Sequence, residues 1–82
     1  MRMPRDLGGE ELARLLRKYD YAVSRQVSSH MRLTTQQRGE HHVTIPNHDP
    51  IRLGTLNSIL KDVAEHFGAS RAELMETLFG KE

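Results

Sequence analysis

The chain has no cysteine, no tryptophan, only four other aromatic residues and three prolines among its 82 residues. Without cysteine there is no disulfide framework, no thiolate nucleophile and no cysteine-type zinc site. A reducing cytoplasm is the expected location. No run of apolar residues approaches the length that spans a bilayer. The opening "MRMPRDLGGEEL" lacks the apolar centre of a signal peptide. With 37% hydrophobic residues the core must be thin. One domain over residues 1–82 is expected, with a stability of roughly 5 kcal/mol, at the low end for folded proteins.

What is present is asymmetric charge. The net charge of +1 divides into +4 over residues 1–38, where eight Arg or Lys face four Asp or Glu, and −3 over residues 39–82. Nine of the twelve basic residues are arginine, the side chain suited to two-pronged contacts with phosphate. A mixed solvated surface would account for this, and so would a polyanion-binding surface on the first half.

The hydrophobic spacing gives the element order. "GEELARLLRKY" reads as a first helix, with Leu12, Leu15 and Leu16 on one stripe and acidic and basic residues at the ends that suit its dipole. "YAVSRQV" reads as a strand with Tyr21, Val23 and Val27 on one face and Ala22, Ser24 and Gln26 on the other. Arg25 falls on the apolar parity, which predicts a bulge or an end-of-strand twist there. "HMRLTT" and "HHVTIP" form a hairpin across the loop "QQRGE". If Thr35 pairs with His41, then Leu33 faces Val43 and Met31 faces Ile45, so the apolar sets share a face. Pro46 ends the third strand. "TLNSILKDVAEHF" is the strongest helical pattern, with Thr55 as the expected cap and Gly68 as the stop. "SRAELMETLF" is a short last helix opened by a Ser70–Glu73 capping box. The predicted fold is α+β: helix, three antiparallel strands, helix and a short C-terminal helix. Its helices pack on one sheet face and the other face is open, as in double-stranded RNA-binding domains.

Five histidines is a high share for this length. His66 fits a structural or solvated place at the edge of a helix, and His48 a local hydrogen bond or a helix-entry role in the connector. His41, His42 and His48 raise the idea of a metal site, but His41 and His42 are adjacent on a strand and point to opposite faces and a third protein ligand would have to come from elsewhere, so no metal or other cofactor is expected. His30 is placed differently. It begins the second strand on the open face, after Gln26, Ser28 and Ser29, with Arg32 two residues on. An imidazole can take or give a proton near neutral pH, and Arg25 or Arg32 can hold a phosphate and its developing charge. Ser29 can orient either group. His42 lies about 13 Å along the sheet from His30, too far for a second acid.

Two stretches, "MPRDLGGEELARLLRKYDYAVSRQVSSHMRL" and "GEHHVTIPNHDPIRLGTLNSILKD", resemble the HicA-type toxins of bacterial and archaeal toxin–antitoxin pairs. The shared pattern is a leucine-rich first helix, an Arg–x4–His element before the second strand, and a His–x–Val–x–Ile–Pro strand leading to "GTL". The likeness runs from about Pro4 to Phe79. It implies an endoribonuclease that cleaves messenger RNA, held inactive by a HicB-type antitoxin. The catalytic histidine of the family's Gly-Ser-His element falls on His30, with Ser29 at the serine and Ser28 where the family usually has glycine. The expected RNA contacts are Arg25, Ser28, Ser29 and Arg32, with a metal-independent mechanism on the single imidazole. Two alternatives are a non-catalytic RNA-binding module of the same fold and a helix-turn-helix DNA binder over the last two helices. Glu73 and Glu76, with so few cations beside them, weigh against the second.

Overall fold

A computed structural model describes residues 6–80. The first five residues, where the family likeness and the test for a leader begin, lie outside that range. The order is α1 (Gly9–Leu15), a 3-10 turn (Leu16–Tyr19), β1 (Ala22–Val27), β2 (His30–Thr35), β3 (His41–Pro46), α2 (Leu53–Phe67) and α3 (Arg71–Phe79). The three strands form one antiparallel sheet in the order β1-β2-β3. This is the α+β arrangement the pattern predicts.

The β2–β3 register is also the expected one. Thr35 pairs with His41, Leu33 with Val43 and Met31 with Ile45. Met31, Leu33, Val43 and Ile45 are all buried, and they meet Leu12, Leu16, Leu56, Leu60, Val63, Leu74 and Leu78 in one core. Thr35 is buried on the same face. Its hydroxyl donates to the Tyr19 carbonyl at 2.8 Å, so its polarity is satisfied. Leu74, Met75 and Leu78 of α3 are buried, so the helix serves the core and not a DNA groove.

The helix ends follow local chemistry with one exception. Gly68 caps α2 at φ 62, a left-handed conformation that glycine adopts without penalty. Ser70 and Glu73 close the capping box, each side chain bonding the other's backbone N–H. At the other end α2 starts at Leu53 with Arg52 at the cap position, so Thr55 lies inside the helix and does not cap it. The C-terminal part of the first helical pattern tightens into the 3-10 turn, which ends at Asp20 with φ 63. Gly9 opens α1 against the end of β3. A Cβ at this position would sit 2.3 Å from the Pro46 carbonyl, so only glycine permits the approach.

β1 departs from simple alternation. Its pairing to β2 shifts between Val23 and Arg25, which is the anticipated bulge. Val23 pairs with Leu33 on the helix side, whereas Arg25 pairs with Arg32 and Val27 with His30 on the open side. The expected grouping of Val23 with Val27 is therefore wrong beyond the bulge, because one inserted residue reverses the parity of everything after it. Gln26 correspondingly moves to the side of Met31. Neither valine is buried: Val23, on the helix side of the edge strand, is 48% exposed, and Val27, on the open face, is 54% exposed.

Candidate active site on the open sheet face

The turn between β1 and β2 places the candidate residues. Ser28 and Ser29 form a two-residue hairpin connection, and Ser28 has φ 54. Side chains rarely take this conformation and glycine takes it freely. The turn delivers His30 to the first position of β2, exposed on the open face. The Ser29 hydroxyl lies 3.4 Å from His30 Nδ1, a long contact. If Nδ1–H is directed at that oxygen, Nε2 keeps its lone pair for solvent or substrate.

Hydrogen bonding continues past the end of the strand pair. The Asn47 N–H donates to the Ser29 carbonyl at 2.6 Å. Ser29 and Asn47 are thus opposed across a hydrogen-bonded position, and the next pair, His30 and Pro46, is of the closer type, with Cα atoms about 4.5 Å apart. Pro46 needs no ladder donor here, because its nitrogen faces the free outer edge of β3.

Next along the sheet, Arg25 stands directly opposite Arg32. Like charges in this relation repel and destabilise a sheet. Among the described residues neither guanidinium has an acidic partner: the two ion pairs are His41 with Asp62 and His42 with Glu40. The bulge is what brings Arg25 to this face. Four of the five candidate residues, Arg25, Ser29, His30 and Arg32, therefore converge around one end of the open face. Ser28 stands in the turn itself, exposed, and its backbone conformation is its clearest contribution.

The far end of the face carries a chain of hydrogen bonds that the pattern did not reveal. His42 Nε2 lies 2.9 Å from the Glu40 carboxylate and Nδ1 lies 2.7 Å from the Thr34 hydroxyl, which in turn lies 2.7 Å from the Ser24 hydroxyl. Both ring nitrogens of His42 are thus occupied. His41 turns to the other face, as strand alternation requires. Burial and the nearby charge of Asp62 hold the Tyr21 phenol well above its ordinary pKa, so its O–H stays protonated and donates to His41 Nδ1 at 2.7 Å. His41 Nε2–H then donates to Asp62 at 3.2 Å. His66 stacks on His41 with ring centroids 4.3 Å apart and donates to the Gln37 and Gly39 carbonyls. These two histidines hold the β2–β3 loop to α2, in line with the structural role expected of His66. Among the described residues no group of three or more His, Cys, Asp or Glu is placed to hold a metal ion.

His48 meets the start of a helix, but through its backbone. Its carbonyl, not its ring, is used, accepting from Gly9 N–H at 2.8 Å. The imidazole is exposed and lines a cavity with Pro46, Pro50, Arg52 and Thr55.

A family model described as HicA toxin of bacterial toxin-antitoxin matches residues 9–64. The chain belongs to the HicA toxin family. The matched span runs from the first residue of α1 to Ala64 in α2 and includes the whole sheet, the serine turn and His30; it is shorter than the likeness read from the sequence, and α3 lies outside it. No curated protein and no solved structure matches the chain. Membership makes the chain a toxin of a toxin–antitoxin system, with an antitoxin as its partner. Among the described residues no helix is long and apolar enough to cross a membrane.

Proposed function

We propose that this HicA-family chain is an endoribonuclease that cleaves messenger RNA on its open sheet face, with His30 as the catalytic residue, and that a HicB-type antitoxin inhibits it by covering that face. One observation carries the reading: two arginines without acidic partners oppose each other beside an exposed histidine. That arrangement costs stability in the free protein and is relieved by a phosphate between the guanidinium groups. Membership in a toxin family supplies the context in which such a site acts.

The chemistry needs only the residues at hand. His30 Nε2 accepts the proton of a ribose 2′-hydroxyl as that oxygen attacks the neighbouring phosphorus. The bond from phosphorus to the 5′ oxygen breaks, and the imidazolium returns the proton to that leaving oxygen. Products carry a 2′,3′-cyclic phosphate and a 5′-hydroxyl. Arg25 and Arg32 stabilise the charge on the phosphoryl oxygens, and Ser29 steadies the ring. DNA lacks the attacking hydroxyl and is not a substrate. No metal takes part.

The test is purified wild type and His30→Ala on labelled RNA and on DNA of the same sequence, in the presence of a chelator. Wild type cuts the RNA alone, leaving cyclic phosphate ends, and His30→Ala loses at least about a hundredfold in rate with an unchanged melting temperature. Cleavage retained by His30→Ala removes the mechanism. Binding of RNA by wild type without any cleavage favours the non-catalytic RNA-binding module.

A further inference from the structure

The cavity beside the catalytic row has no part in the mechanism above, yet it shares a wall with it. It measures about 390 Å³ and is bounded by Pro46, His48, Pro50, Arg52 and Thr55. Pro46 is the residue directly opposite His30 in the sheet. That proline therefore flanks the catalytic residue, and the same residue lines the cavity. On the β1 side His30 faces Val27, and the Arg25–Arg32 pair lies two residues further along the strands. His30 thus adjoins two places that an RNA chain can occupy, the arginine pair along the sheet and the cavity beyond Pro46.

The lining combines two prolines with three residues that carry polar side chains, and the volume is within the usual range of ligand sites. Two proline rings offer flat apolar surfaces against which a base can lie. Arg52 and His48 are exposed, and among the described residues no side-chain hydrogen bond or ion pair engages either of them. A guanidinium suits a phosphate, while an imidazole and the Thr55 hydroxyl suit the edges of a base or a ribose. By contrast, the ring of His42 at the far end of the open face is already bonded through both nitrogens, and the carboxylate of Glu40 beside it repels phosphate. The RNA path is favoured toward the cavity end.

We infer that this cavity binds the nucleotide next to the cleaved bond, with Arg52 on its phosphate and His48 on its base or ribose, and that it confers whatever base preference the cleavage has. The inference rests on the reading of His30 as catalytic and extends that site by one nucleotide.

The experiment is steady-state cleavage of a labelled mixed-sequence RNA by wild type, Arg52→Ala, Arg52→Lys and His48→Ala, with His30→Ala as control. Cut positions are mapped and KM is measured over a range of salt. Arg52→Ala raises KM about tenfold, the loss expected for one charged contact, while kcat changes far less. The slope of log KM against log salt falls by about one, and Arg52→Lys recovers most of the affinity. His48→Ala alters the ranking of bases on one side of the cut. An unchanged KM and salt slope in Arg52→Ala, together with an unchanged cut pattern in His48→Ala, overturns the subsite while the His30 control keeps the catalytic reading intact. Cleavage persisting in His30→Ala overturns that reading, and this inference with it.

Discussion

Ser28 shows how much one residue can carry. It occupies the first position of a two-residue turn at φ 54, where a side chain is strained by roughly 1 kcal/mol. The Gly-Ser-His element that the resemblance implies would put glycine there, and the positive φ of the turn that leads into His30 suits a glycine. Ser28→Gly is therefore expected to stabilise the fold by up to about 1 kcal/mol and raise the melting temperature by a few degrees. Scanning calorimetry checks this. A lower melting temperature would mean that the serine hydroxyl, and not the backbone, matters at that position. The sequence singled out His30 because its neighbours are serines and arginines. It pointed His48 only toward a local hydrogen bond, helix entry or a metal and passed over Arg52, because neither lies on a periodic element. Their common cavity forms only when the connector folds back beside Pro46.

At the level of the element, the bulge in β1 decides the chemistry of the face. Strict alternation would have left Arg25 on the side of Met31 and Leu33, away from Arg32 and His30. The shift after Val23 turns it outward, opposite Arg32. Stability and binding then pull in opposite directions at this pair. Arg25→Ala removes a like-charge repulsion worth about 0.5 kcal/mol, so urea unfolding should show unchanged or slightly increased stability. The same variant, made in a His30→Ala background, should bind labelled RNA about tenfold more weakly and with a salt slope reduced by about one. An unaltered salt slope in that titration would take Arg25 out of the RNA path. The position of the bulge could be anticipated from the arginine on an apolar parity. Its consequence for Val27 and Gln26 could not, because alternation is counted from whichever end of the strand one starts.

Across the whole molecule, Tyr21 links the sheet to α2 through His41 and Asp62. It is fully buried, and its raised pKa means that the folded state keeps the phenol proton after the unfolded chain, at about pH 10, has released it. Above that pH the unfolded state binds fewer protons than the folded one, so stability falls as pH rises and is complete only below it. The melting temperature should drop between pH 9 and about pH 11, and Tyr21→Phe should flatten that drop while lowering the melting temperature at neutral pH through loss of the hydrogen bond to His41. Equal alkaline slopes in the two proteins would show that other groups govern the decline.

The sequence by itself determined the order of elements, the hairpin register, the Gly68 and Ser70 ends of the helices and the side of the sheet on which His30 stands. Each of these follows from period, parity or a cap, which are interactions among residues close in the chain or matched by a strict repeat of two. Tertiary packing decided the outward turn of Arg25 and Val27, the burial of Tyr21 against His41, the early start of α2 at Leu53 and the cavity between Pro46 and Arg52. Those features join residues whose separation along the chain obeys no period, so their placement follows only from how the sheet, the connector and the helices settle around one shared core.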